Sequence, residues 1–132
     1  MIVVDTNVIS YLLLPTPYTS AAERLFQSDC DWAAPVLWRS EMRNVLALYL
    51  RKDLLRMDQA LALQSRAEDL MKGNEYQVTS TAVLSLAAHS GCSAYDCEFV
   101  SLARDLGTLL VTADEALVSS FPDQARPLAG FV

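Results

Sequence analysis

Glycine is scarce in this sequence, four residues in 132, and none falls in a G-x-G-x-x-G, G-x-x-x-x-G-K-[ST] or G-x-S-x-G pattern. Dinucleotide binding, P-loop hydrolysis and α/β-hydrolase chemistry therefore lack the loop each requires. Histidine is rarer still, with His89 alone. Together with Cys92 and Cys97 it makes the one zinc-like grouping, but the spacing is not that of a closed site and no fourth ligand is evident. With Cys30 the cysteines number three, an odd count without a C-x-x-C pair, which predicts small buried thiols in a reducing compartment. Long apolar runs are missing too, because Asp5, Arg39, Asp53 and other charges break each candidate before the roughly 18 residues of a membrane span. The chain passes from Met1 straight into Ile2-Val3-Val4-Asp5, with no basic stretch and no small-residue cleavage pattern. A cytoplasmic protein with no membrane partner is the expectation. Positive charge is short, 10 Lys and Arg against 16 Asp and Glu for a net charge of -6, which argues against a protein that coats nucleic acid through a basic face. A nucleic-acid enzyme whose acids bind divalent cations stays open, since the metal reverses the local field.

What is present is enough for one core. Hydrophobic residues make up 52% and charged residues 20% of the chain, and no repeat or linker divides it, so residues 1–132 are read as a single domain. Ile2 to Val4 is a β-branched run that predicts a buried strand, and Asp31 to Ala34 a second one stopped by Pro35. Ser20-Ala21-Ala22-Glu23 fits a capping box opening a helix to Ser28. Val36 to about Lys52 has the strongest helical periodicity, with Leu37, Val45 and Leu48 on one side and Arg39, Arg43 and Arg51 on the other. Asp58 is expected to cap a helix to Met71 that Gly73 ends, and Ser80 to His89 another that Gly91 ends. Between them Glu75 to Thr79 is a brief strand. Ser93 opens a helix to Leu106, Leu109 to Thr112 is a buried strand, and the tail from Pro122 ends in an edge strand. Short apolar strands alternating with amphipathic helices predict an α/β sandwich with a mainly parallel sheet.

Four acids stand in unusual places. Asp5 follows the first strand and Asp114 lies two residues past Thr112, so both face the crevice beyond the strands' carboxyl ends, where ligands sit in open parallel sheets. Glu41 falls within the apolar arc of its helix, and Asp96 falls among Phe99, Val100 and Ala103. An ionised carboxylate on a dry face has to be paired, protonated or bound to metal. Each acid also has a plain reading: a turn for Asp5, a cap for Asp114, a favourable helix dipole for Asp96, an arginine partner for Glu41. Jointly they suit Mg²⁺ or Mn²⁺, hard cations that take oxygen ligands. Such a site promotes phosphodiester hydrolysis by in-line displacement, without a covalent intermediate.

These residues lie in VVDTNVIS (3–10), WRSEMRNVL (38–46) and YDCEFVSLARDLGTLLVTADEAL (95–117), and the chain resembles a PIN-domain ribonuclease of the VapC toxin type over essentially its whole length. The specificity lies in the order and spacing of the acids, with T-x-D near the end. The resemblance implies a three-layer α/β/α sandwich, and Asp5, Glu41, Asp96 and Asp114 as the metal-binding catalytic cluster. It also implies Thr6, Asn7 and Thr112 as hydrogen-bonding supports, frequent homodimerisation, and neutralisation by a cognate antitoxin. Where some family members have a further acid beyond the Asp114 position, only Glu115 stands here, which leaves one metal ion or two open. On this reading the protein is a divalent-metal-dependent endoribonuclease. For an RNA substrate, Arg39 and Arg43 are either phosphate contacts or a solvated helix face. A catalytically silent PIN-like binding module, its acids receiving a partner's arginine, is the alternative. A phosphatase with Asp5 as nucleophile needs an acid at position 7 and a nearby lysine. Asn7, with Lys52 and Lys72 the only lysines, speaks against it.

Overall fold

The computed structural model describes residues 1–131. Along the chain run β1 (Ile2–Val4), α1 (Thr6–Leu13), α2 (Thr19–Ser28), β2 (Trp32–Pro35), α3 (Trp38–Arg51) and α4 (Met57–Leu70). They are followed by β3 (Glu75–Tyr76), α5 (Ser80–Ser90), α6 (Ala94–Leu106), β4 (Leu110–Thr112), α7 (Glu115–Ser120) and β5 (Ala125–Pro127). The strands form one sheet in the order β3-β2-β1-β4-β5, with every pairing parallel. This order positions the site. From β1 to β3 the chain steps one way across the sheet, and from β3 it jumps back to β4 and on to β5. Right-handed crossovers then place α1 to α4 on one face and α5 to α7 on the other. The reversal between β1 and β4 is a topological switch point, and the crevice past the carboxyl ends of those two strands is open.

Strands this short hold because both faces are covered. Val3, Val4, Leu110 and Val111 are fully buried, with Val3 opposite Leu110 and Val4 opposite Val111 across the β1–β4 pair. Trp32, Trp38 and Phe99 are the largest buried side chains. Each indole N–H finds an acceptor: Trp32 donates to the Asp29 carbonyl at 2.7 Å and Trp38 to Glu75 Oε1 at 2.8 Å.

Several expectations are corrected. Helix α1 has no counterpart in the sequence reading: TNVISYLL carries three β-branched residues and no charge, so its pattern does not separate it from the strand before it. Ser20 does not cap α2. That helix starts one residue earlier, behind Tyr18, while Thr19 spends its hydroxyl on the Leu14 carbonyl at 2.9 Å. Arg56, not Asp58, is the N-cap of α4, and Asp58 sits in the first turn. Strand β3 covers only the first two residues of its expected span. Cys97 is buried and Cys92 half-buried, but Cys30 is exposed. The buried stripe of α3 is Trp38, Met42 and Leu46, whereas Leu48 is exposed; the apolar arc assigned to the core is that helix's flank.

Candidate functional site

Asp5 leaves β1 at the switch point and is the N-cap of α1, its Oδ1 accepting the Val8 N–H at 3.1 Å. Its Oδ2 accepts the Thr112 hydroxyl and the Ala113 N–H, the latter at 3.3 Å. Thr112 ends β4, fully buried, and its Oγ1 in turn accepts the Asp114 N–H at 3.0 Å. One hydroxyl thus ties together the two acids that end neighbouring strands. Asp114 is itself the N-cap of α7, accepting the Ala116 N–H at 2.8 Å. The capping roles and the cleft-facing positions coincide, so the plain and the functional readings of these acids do not compete.

The two helical acids come to the same place from opposite faces of the sheet. Asp5, Glu41, Asp96 and Asp114 all line one cleft of about 390 Å³. Glu41, in the first turn of α3, accepts the Thr6 hydroxyl at 2.7 Å. Asp96 sits in the first turn of α6, behind the Ser93 cap. Thr6 and Thr112 therefore fix an acid each. Asn7 lines the cleft too, exposed at its rim. Leu37 and Val45 line it beside Glu41, with Phe99 beside Asp96, which explains why Glu41 falls among apolar residues in the helical pattern. Ser40, Asn44 and Tyr95 complete the wall and were not anticipated. Ser40 and Asn44 had a signal, since they stand four apart on the stripe adjoining Glu41.

The electrostatics follow from putting four acids together without a cation. Burial pushes the Asp5 carboxyl up to about 6, although Thr112, Val8 and Ala113 donate to it, and the charge of Glu41 adds to the rise. Glu41 is raised by burial against the bond from Thr6, with the charges of Asp96 and Glu98 contributing. Asp96 is raised by burial against a Ser93 hydrogen bond, with Asp114 contributing. Repulsion runs from Asp5 through Glu41 and Asp96 to Asp114, and among the described residues no Lys, Arg or His lines the cleft. Oxygen donors of this kind, carboxylates with serine, threonine and asparagine beside them, fit a hard divalent cation. Among the described residues no three acids, histidines or cysteines form a finished ligand set; the carboxylates share the walls of the cleft.

Other candidates lie elsewhere. Arg39 is engaged by Glu75 through Nε at 2.6 Å and Nη2 at 2.9 Å, and by Glu68 through Nη1 at 3.2 Å, which ties α3 to β3 and α4. Arg43 is exposed and is not part of the cleft wall. Glu115 lines the groove beyond Asp114 and is not among the residues of the acid cleft. His89 is exposed with Nδ1 2.7 Å from the Ser85 carbonyl.

Known proteins share this fold. The chain is 29% identical over 129 residues to Ribonuclease VapC3 of Pyrobaculum aerophilum, covering 96% of this chain and 98% of that protein. Among solved structures, FitAcB from Neisseria gonorrhoeae is similar with a TM-score of 0.78 at 19% identity, over 99% of this chain and 100% of that one. PAE2754 from Pyrobaculum aerophilum matches at 0.71 and 21%, over 97% and 90%, and a toxin-antitoxin complex from Klebsiella pneumoniae at 0.67 and 12%, over 93% and 92%. The PIN domain model itself matches residues 2–120, a span that holds all four acids, and this chain belongs to the PIN domain family.

Proposed function

We propose that this protein is a divalent-metal-dependent endoribonuclease, the toxin of a cytoplasmic toxin-antitoxin pair. The observation that carries the reading is the meeting of four acids, from β1, α3, α6 and the end of β4, in one cleft without a positive charge. The similarity to a protein named as a ribonuclease, and to one solved as a toxin-antitoxin complex, supports the choice of substrate and partner. Asp5, Asp96 and Asp114 would hold Mg²⁺ or Mn²⁺, with Glu41 beside them. When bound, such a cation supplies Lewis acidity, making water a better nucleophile at neutral pH and offsetting phosphodiester charge.

The chain's own residues supply the rest. Thr112, Val8 and Ala113 hold both oxygens of Asp5, so the carboxylate is oriented before any ligand arrives. Glu41, raised above its ordinary value by burial and oriented by Thr6, would orient the attacking water and accept its proton. Leu37, Val45 and Phe99 keep part of the wall dry, which strengthens each polar contact inside. A cognate antitoxin and a second copy of the chain are the partners of this reading.

The test is cleavage of a panel of structured RNAs by antitoxin-free protein with Mg²⁺, with Mn²⁺ and with EDTA, beside Asp96→Asn. Cuts that require metal and vanish in the variant support the reading. Metal-independent cuts, or full activity in the variant, contradict it, and partner binding with neither cuts nor metal binding identifies the silent module.

A further inference from the structure

Beyond Asp114 the acid cleft gives onto a second groove, of about 540 Å³, within the roughly 300–1,000 Å³ of small-molecule sites. It is lined by Thr112 and Ala113, which lead from β4 to Asp114, by Leu128 after β5, and by Tyr11 of α1 and Tyr18 ahead of α2. The two rings are stacked with a tilt, centroids 4.9 Å apart and planes at 32°, and Tyr18 remains 55% exposed. Among the described residues Tyr11 is the one aromatic ring paired with Tyr18.

We infer that this groove is a nucleobase subsite, in which the base flanking the scissile phosphate stacks on the Tyr11–Tyr18 pair. The inference rests on the nuclease reading above. Asp114 lines both cavities, so a strand whose phosphate lies among the acids has its neighbouring base delivered into the groove. The acidic surface gives phosphates little to hold outside the cleft, and aromatic faces bind bases without positive charge, which suits this protein's net charge of -6. Tyr11 and Tyr18 are positioning residues here, setting where along a strand the acids fall.

Neutral ribonucleosides separate the groove from the acids, since they carry no phosphate and need no metal. Adenosine, guanosine, cytidine and uridine are titrated separately into the protein in EDTA, and the resonances of Tyr11, Tyr18 and Ala113 followed by NMR. At least one nucleoside should give saturable shifts at those residues, weakened about tenfold or more in Tyr18→Ala and retained in Tyr18→Phe and in Asp96→Asn. In Mg²⁺, Tyr18→Ala should raise KM for RNA by a similar factor with kcat unchanged. No saturable shift with any nucleoside, or equal binding by Tyr18→Ala, overturns the assignment while RNA cleavage still upholds the nuclease. Wild-type KM in Tyr18→Ala, with an antitoxin peptide seated on the tyrosines, overturns it in favour of a protein-docking groove. Nucleoside binding without metal-dependent cleavage removes the nuclease and leaves the groove a base-binding site.

Discussion

Arg39 and Glu41 stand two residues apart on α3, about 200° around its axis, and each looks onto a group of carboxylates. On one side Arg39 pairs with Glu75 and Glu68. The bond from Arg39 holds the Glu75 carboxyl below its ordinary value, with Trp38 adding to the effect. On the other side Glu41 meets Asp5, Asp96 and Asp114, and the three acids whose values shift all move up. The same residue type on the same helix thus serves two ends. Where a cation is built in, the acids fasten elements together. Where it is withheld, the fold keeps a site under electrostatic strain that a ligand of opposite charge relieves.

The comparison is broken most severely by changing the acids themselves. Asp5→Asn and Asp96→Asn are each expected to lower RNA cleavage at least 100-fold with the circular dichroism spectrum unchanged. Asn still caps α1 through its oxygen, and the lost like charge offsets the bonds from Thr112 and Ala113 that an amide nitrogen cannot accept. Arg39→Gln should leave cleavage within twofold and lower Tm by a few degrees. The opposite pattern, stable but inactive, would exchange the roles assigned to the two groups.

Metal should then act on one group only. Mg²⁺ at 100 times its dissociation constant is expected to stabilise the folded protein by about 2.7 kcal/mol, as a rise in Tm shared by Arg39→Gln and absent from Asp5→Asn. A rise of equal size in Asp5→Asn would place the cation elsewhere.

The two groups also respond to pH with opposite sign. Asp5 rises from 3.8 to about 6 on folding, so the folded state binds its proton more tightly than the unfolded chain. In EDTA that stabilising contribution is complete below 3.8 and is lost as pH climbs through about 6, at up to about 1.4 kcal/mol per pH unit. Glu41 and Asp96 add in the same direction. Glu75 is lowered, so its contribution is present above the unfolded value and fades as pH falls through the folded one. Melting curves from pH 3 to 7 should therefore flatten between 4 and 6 in Asp5→Asn and lose their acid-side decline in Arg39→Gln.

The smallest effect is expected at Thr6. Thr6→Val removes the hydroxyl that orients Glu41 at 2.7 Å and keeps the shape, and should reduce kcat about tenfold with little change in Tm. Unchanged kcat would leave Glu41 without a need for orientation.

The legible parts of the molecule are those governed by near neighbours. Asp5 and Asp114 announce themselves because one directly follows a buried strand and the other lies two residues past one, and parallel strands at a switch point put such positions on one edge. The Ser93 cap and the left-handed Gly91 and Gly107, at φ 76° and 64°, bound α5 and α6 within a residue or so of expectation, while Thr79, read as the end of a strand, is the N-cap of α5. Helix α1 stays hidden because three of its eight residues are β-branched, none is charged, and Thr6 and Ser10, though polar, are buried with the apolar ones. The core face of α3 was misplaced because this helix has two apolar surfaces, Trp38, Met42 and Leu46 toward the core and Leu37 and Val45 toward the cleft. Periodicity registers both alike. Nor does any local pattern show that Arg39 bonds Glu75, 36 positions along the chain, a tie that neither a phosphate contact nor a solvated helix face anticipates.

The central claim is that the unpaired acids form a cation site and the paired ones do not, and Mn²⁺ calorimetry on three proteins tests it most directly. Saturable heats in the wild type and Arg39→Gln, lost in Asp5→Asn, are the predicted result. Undiminished heats in Asp5→Asn, or heats lost in Arg39→Gln alone, would contradict it.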